Sequence, residues 1–379
     1  MSLSVPARLG AFAVLAGLGT AGAVSLLVPA GSAAGTSSGW RPPSGSSDAA
    51  AVRLLRQAAQ ATDATAYSGV QYLCSWGSDG GSTSVVVEVT HVPGSGSMVA
   101  VRPTPGSGGI RVYEKESTEG SPGIGAPDLA GGRGQALALL ERKYDLGLGS
   151  TEDVAGRPAD VVEVRRPDGS LAARLWLDAA TKMLLRREIT DHRGRMTRAS
   201  AFVELRVGRA GLLLTPPAEG PQQMPRPWDR RLEAADLGRL RAHGWAVPDT
   251  LPGGLELFDA RSHDNDDEGA GADEVVHLSF SDGLSTVSLF EQKGRLDPRR
   301  LASWRREKMG GARVYVRDTL PRRVVWASRG KVYTVLADAP EDTVQAVIAR
   351  LPHSSPRTGV VPRLGRGLAR VGSWFNPFA

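Results

Sequence analysis

Residues 159–205 read ADVVEVRRPDGSLAARLWLDAATKMLLRREITDHRGRMTRASAFVEL. Four runs, ADVVEV, LAARLWLD, LLRREIT and ASAFVEL, alternate apolar and polar side chains with the period of a β-strand. The connections RRPDGS, AATKM and DHRGRM are short and rich in turn formers, which joins neighbouring strands antiparallel. This stretch therefore predicts a meander. Upstream, YSGVQYLCSWGS (67–78), TSVVVEVTHV (83–92), MVAVRP (98–103) and GIRVYEK (109–115) extend the same pattern, broken by Gly, Ser and Pro. Two helices accompany the strands. Asp48 is placed to cap AAAVRLLRQAAQAT, where Val52, Leu55 and Ala59 recur at helical spacing, and GQALALLERKYDL reads as a short second helix. The expected class is α+β.

Composition sets the outer limits. The chain has 379 residues, 41% of them hydrophobic, enough for two domains with cores of their own. Residues 9–30, LGAFAVLAGLGTAGAVSLLVPA, carry no charge and follow Arg8. They predict either a signal peptide cleaved near Ser32-Ala33-Ala34 or a retained membrane anchor, and both put the rest of the chain outside the cytoplasm. A Ser/Gly linker follows at 35–47, and a first domain is expected over 48–210. The segment LTPPAEGPQQMPRP, with five prolines, marks a semi-rigid linker over 211–229. A smaller α+β domain follows at 230–352. Its last helix, PEDTVQAVIARL, sets Val344, Val347, Ile348 and Leu351 on one face. A basic tail occupies 353–379.

Charge argues against nucleic acid. The net charge is +6, but the tail contributes four arginines and no acid and Arg8 one more, which leaves the body nearly neutral. Duplex binding draws its affinity from a basic face on the folded body. The tail itself could form an amphipathic helix with Leu364, Leu368, Val371 and Phe375 on one side, suited to an anionic membrane surface. Three glycines, Gly365, Gly367 and Gly372, oppose that helix.

The tempting catalytic stretch is His277–Phe290, HLSFSDGLSTVSLF. With Asp282-Gly283 as a two-residue turn, Phe280 would oppose Ser285, Leu278 would oppose Val287, and His277 would meet Ser288. That register sorts apolar residues to one face and the His and Ser residues to a solvated one, so Ser279→Ala and Ser281→Ala are expected to behave like wild type. Residues 263–274, HDNDDEGAGADE, resemble a calcium loop but have Val275 where the bidentate Glu belongs. The single cysteine, Cys74, reads as a small buried hydrophobe rather than a reactive thiol. Gly17–Gly22 and Gly35–Gly39 match GxGxxG and GxSxG outside any strand–turn–helix context. No catalytic residue, metal site or cofactor is expected.

Several segments resemble the MucB/RseB family of extracytoplasmic regulators of sigma factors, in order and spacing over roughly residues 48–352. They are YSGVQYL, VAGRPADVVEV, RLWLDAATKMLLRREITDHRGRM and AFVEL, then HGWAVPDTLPGG, HLSFSDGLSTVSLFEQ and VYTVLADAPEDTVQAVIARL. The resemblance implies an N-terminal LolA-like antiparallel half-barrel closed by helices over an apolar cavity, a smaller C-terminal domain, and no catalysis. It implies binding to the outer part of a membrane anti-sigma factor, with a lipid or lipoprotein as the releasing signal; a lipid or lipoprotein carrier is the alternative. The departures from the Gram-negative pattern are the N-terminal segment, the acidic run 263–274 and the tail. Candidate cavity residues are Val70, Tyr72, Trp76, Val87 and Trp176. The hairpin Ser281, Asp282, Gly283 and Leu284 is the candidate partner-facing surface.

Overall fold

A computed structural model describes residues 47–77, 81–94, 96–102, 111–115, 133–208, 222–223, 230–263 and 275–353. Among them are two large sheets and four α-helices, each sheet with its own hydrophobic core. The architecture is α+β, as the periodicity implied.

The first sheet contains β1 (Tyr67–Trp76), β2 (Ser82–Val92), β3 (Gly96–Arg102), β4 (Arg111–Lys115), β5 (Asp145–Val154), β6 (Arg157–Arg165), β7 (Leu171–Asp178), β8 (Leu184–Thr190), β9 (Met196–Val207) and β10 (Gln222–Gln223). Their order is β10-β4-β3-β2-β1-β9-β8-β7-β6-β5, an open path with no closed barrel. The predicted meander is β6 to β9, each strand antiparallel to the next. β10 falls in the segment expected to be a bare linker; it adds to the edge parallel to β4. Helix α1 (Ala49–Ala64) starts where Asp48 accepts a hydrogen bond from the backbone N of Ala50 at 2.7 Å. Its Ala51, Leu54, Leu55 and Ala58 pack with Leu137 and Leu140 of α2 (Arg133–Lys143) onto Leu146, Val162, Val164, Ala173 and Leu175 of the sheet.

The second sheet holds β11 (Arg230–Arg231), β12 (Thr250–Leu251), β13 (Leu255–His263), β14 (Val275–Ser281), β15 (Thr286–Lys293), β16 (Arg305–Met309), β17 (Ala312–Arg317), β18 (Arg322–Ser328) and β19 (Lys331–Asp338). The order is β11-β13-β14-β15-β19-β18-β17-β16, with β12 paired to β13. Helix α4 (Glu341–Arg350) buries Val344, Val347 and Ile348 on one face of this sheet, beside Leu240 of α3 (Ala234–Ala242). The loop after α3 is fastened by a buried charge cluster. Lys331 Nζ donates to Glu291 Oε1 at 2.8 Å and to the Gly244 carbonyl at 2.7 Å. Tyr333 donates to Glu291 Oε1 at 3.2 Å, and the Ala246 N–H donates to Oε2 at 2.8 Å. Lys331 also sits 4.2 Å from the centre of the Trp245 ring. Those bonds place the HGWAV segment on the sheet.

An apolar sheet face and an interdomain clasp

The register of the first sheet decides which side chains share a face. Gln71 of β1 opposes Val87 of β2 and Phe202 of β9. Leu73 opposes Val85, and Gly69 opposes Val89 and Leu205. Following the same pairing across β9, β8 and β7 leads to Ser200, Arg187 and Leu175, and Leu175 lies under the helices. Tyr67, Gln71, Leu73, Val85, Val87, Val89 and Phe202 therefore belong to the helix-covered face. Phe202 crosses Gly69 so closely that a Cβ there would stand 2.8 Å from its ring and 2.6 Å from the Glu204 carbonyl, which explains the glycine in YSGVQYL. Leu73, Val85 and Leu205 remain half-buried on this face. Among these apolar groups Gln71 is 2% exposed, and its Oε1 has no hydrogen-bond partner. An amide oxygen left so costs about 1–3 kcal/mol.

The five expected cavity residues do not share one face. Val87 and Trp176 belong to one buried hydrophobic cluster. Val70, Tyr72 and Trp76 have the opposite parity in β1, and Tyr72, Ala201, Arg186 and Trp176 form a single cross-strand row. Trp176 is buried in one hydrophobic cluster with Val161, Met183, Leu185, Val87 and Phe202; Arg186 lies 4.6 Å from its ring centre, and its Nε1 donates to Glu152 at 2.9 Å. The parity of β1 was legible in sequence, but its phase relative to β2 was not. Phe202 and Leu73, which do lie on the covered face, carried no signal beyond their hydrophobicity.

The hairpin β14–β15 corrects two expectations. Ser281 pairs with Thr286, Phe280 with Val287 and His277 with Phe290. The loop is thus Asp282-Gly283-Leu284-Ser285 rather than a two-residue turn. The two-residue shift keeps each side chain on its expected face, but the His/Ser face is not wet. His277, Ser279 and Ser281 are 2%, 6% and 4% exposed. Ser281 is structural in consequence: its hydroxyl donates to the Ser285 carbonyl at 2.9 Å and accepts from Gly283 N at 3.0 Å. Asp282 Oδ1 accepts from the backbone N–H groups of Leu284 and Ser285 at 2.8 and 2.6 Å.

The loop reaches into the first sheet's core, where Leu284 packs among α1, α2 and the covered face. Tyr144 donates to Asp282 Oδ2 at 2.9 Å, and the Arg187 guanidinium donates to the Leu284 carbonyl. Gly283, at φ +94°, lies against α2; a Cβ would meet Leu140 N at 2.6 Å and the Ala136 carbonyl at 2.8 Å. Around this centre, Glu256 takes ion pairs from Arg142 and Lys143 at 2.8 Å each, and Arg198 pairs with Asp338 at 2.5 Å. The residues expected to face a partner protein, Ser281, Asp282, Gly283 and Leu284, are turned onto the chain's own α2. Burial pushes the Asp282 carboxyl up, against the hydrogen bonds that favour its anion. It also pushes the Tyr144 phenol up, helped by the neighbouring Asp282 charge.

His277 Nε2 does lie 3.2 Å from Ser279 Oγ, a nucleophile–base distance. The ring, however, stacks on Phe290 at 4.3 Å and 9°. Burial, assisted by the Arg261 charge, pushes its pKa down to about 3, far from the range of an effective general base at neutral pH. The carboxylate nearest by register, Asp259, is engaged with Arg261 at 2.8 Å. This pair packs a strand face. Cys74 is buried, and burial raises its pKa, as expected of a structural cysteine. Among the described residues no cluster of His, Cys, Asp and Glu could hold a metal ion, and no helix is long and apolar enough to cross a membrane. The acidic run 264–274, the N-terminal apolar segment and the basic tail lie outside the described residues.

Residues 119–228 match the family model described as the MucB/RseB N-terminal domain. Comparison with curated proteins gave no match. Among solved structures, MucB in complex with MucA(peri) is similar at 21% identity, covering 80% of this chain and 100% of that chain, with a TM-score of 0.46. The Pseudomonas aeruginosa MucA/MucB complex gives 19% identity, 81% and 100% coverage and a TM-score of 0.46. A LolA superfamily protein from Nitrosomonas europaea gives 10% identity, 76% and 91% coverage and a TM-score of 0.18.

Proposed function

We propose, for a chain that carries a MucB/RseB N-terminal domain, a non-enzymatic regulatory role outside the cytoplasm. It binds the outer domain of a membrane anti-sigma factor and modulates that factor's proteolysis in envelope-stress signalling, and a lipid or lipoprotein bears on the complex. The observation that carries this reading is the family match over residues 119–228. It is supported by the order of the sequence segments that resemble the same family across both sheets.

The helix-covered face of the first sheet is the proposed ligand surface. Apolar side chains with a few placed polar groups are the usual lining of a site for an amphiphile, and Leu73, Val85, Val87 and Phe202 around the Gln71 amide have that composition. The interdomain clasp gives a route by which a ligand on this sheet would affect the second sheet, because Leu284 packs into the helix-covered core of the first sheet, a cluster separate from that of Val87 and Phe202. A ligand changes a partner's affinity only through a difference in contacts between two states, and release of the clasp would supply that difference.

The test is a protease-protection assay on the full chain and the outer domain of an anti-sigma factor from the same organism. A 1:1 complex that slows cleavage of the anti-sigma factor is the expected result. Intact lipoprotein or lipid uptake with no such complex would move the assignment to a carrier, a reading that the Gln71 Oε1, without a hydrogen-bond partner among the described residues, also favours.

A further inference from the structure

The second sheet has two unlike faces at its β16–β18 end. Between Lys293 and Lys331 the sequence has thirteen basic and three acidic residues, so the near-neutral charge of the body as a whole hides one strongly basic stretch. On the face covered by α4, the cations are neutralised. Arg305 pairs with Glu307 and, at 2.9 Å, with Asp318. Arg322 pairs with Asp318 at 3.1 Å and with Glu341 at 3.3 Å.

The opposite face differs. Cross-strand register puts Arg306 beside Tyr315, Lys308 beside Arg313, and Arg317 beside Arg323. The short 3-10 helix Pro298–Leu301 packs Leu301 onto Val325 and Val332 of the same face, which brings Arg299 and Arg300 there. Arg299, Arg300, Arg306, Lys308, Arg313 and Arg317 are all exposed, and among the described residues none of the six has a salt-bridge partner. Like charges placed directly across a strand pair repel. Burial, helped by the neighbouring Arg317 charge, pushes Arg323 down to about 10. Half-buried Trp304 and Leu296 border the group.

From this arrangement we propose that the β16–β17 face is a docking surface for a membrane rich in anionic lipid, with several headgroups bound at once by Arg299, Arg300, Arg306, Lys308, Arg313 and Arg317. Two observations select a lipid surface. The cations are spread over three elements of one sheet face, which suits a plane of headgroups. Gly311, in the β16–β17 turn, lies 3.3 Å (from its ideal Cβ position) from the His353 ring. The chain leaves the described fold there, at the basic edge, and the sequence beyond adds Arg357, Arg363, Arg366 and Arg370 with no acid.

The experiment is co-sedimentation of the chain from Pro42 onward, a compact unit that includes both cores, with phosphatidylcholine vesicles and with phosphatidylcholine–phosphatidylglycerol vesicles. Each basic residue near an anionic surface changes partitioning about fivefold. The triple variant Arg306→Gln/Arg313→Gln/Arg317→Gln should therefore bind the anionic vesicles roughly a hundredfold more weakly than wild type, and near-molar salt should remove wild-type binding. Arg299→Gln/Arg300→Gln, on a separate element, should weaken binding about twenty-fivefold and serves if the triple variant does not fold. Wild-type binding by both variants overturns the proposal. So does tighter binding to a polyglutamate peptide than to vesicles at equal charge concentration, which would assign the face to an acidic protein partner.

Discussion

Substituting Gly283 by Ala tests the clasp at its narrowest point. The Cβ would stand 2.6 Å from Leu140 N and 2.8 Å from the Leu140 Cα and the Ala136 carbonyl, all backbone atoms of α2. Helix backbone cannot yield by half an ångström without losing its own hydrogen bonds, so the loop must lift instead. Lifting exposes Leu284, about 2 kcal/mol of apolar burial, and breaks the bond from Tyr144 to the Asp282 carboxylate, about 1.5–3 kcal/mol. The positive φ of +94° adds a backbone cost of about 1–2 kcal/mol for any side chain. Gly156 provides the control. Its φ is +72°, and nothing lies within 4 Å of its Cβ position, so Gly156→Ala carries the backbone cost alone. Urea unfolding should show Gly283→Ala less stable than Gly156→Ala by about 3.5–5 kcal/mol. Amide exchange should speed up at Leu284 and along α2 in the first variant only. Equal destabilisation by the two substitutions, with exchange at α2 unchanged, would refute the packing of the loop against the helix.

Other consequences follow from the same contacts. Glu291→Gln leaves Lys331 without its buried counter-charge and should cost about 3–5 kcal/mol, with much of it recovered in Glu291→Gln/Lys331→Met; thermal unfolding reads both. Ser281→Ala removes two buried hydrogen bonds and should destabilise by about 1–3 kcal/mol, measurable by the same unfolding experiment. His277 is neutral in the folded chain down to about pH 3, below its unfolded value of about 6.5. The unfolded chain therefore binds more protons in that window. The stability this histidine contributes is present above about pH 6.5 and is lost as the pH falls towards 3. His277→Gln should flatten this part of the pH–stability curve. Cys74 should react with a thiol reagent only at the rate of local opening, because the folded thiol is buried.

The elements were legible where sequence periodicity and turn chemistry agree. The meander β6–β9 follows from period-two runs between short polar turns, and α1 from Asp48 and the spacing of Leu55. The face on which each strand packs was less accessible. In β1 the alternation separates Val70, Tyr72 and Trp76 from Gln71 and Leu73, but only pairing with Val87 and Phe202 reveals which set lies under the helices. Trp176, in a cross-strand row with Tyr72, is nonetheless core, in one cluster with Val87 and Phe202. The hairpin failed for a related reason. Polar residues at 277, 279 and 281 look solvated when only their own sheet is considered, and the register with Phe290 and the packing of Leu284 into another core are tertiary facts. The Glu291–Lys331 pair joins residues forty positions apart, a separation at which one sequence holds no pairing signal. The cationic face was diluted in sequence by the paired arginines on the other side of the same strands.

The proposed role for this chain is that of a partner-binding regulator. Its most direct test is capture of the tagged full-length protein from its native membrane in mild detergent, with proteins and extracted lipids identified by mass spectrometry. A membrane anti-sigma factor recovered at near 1:1 stoichiometry is the predicted result, and any co-purifying lipid then becomes the candidate signal. Recovery of lipids or assorted lipoproteins with no anti-sigma factor would contradict the regulatory account.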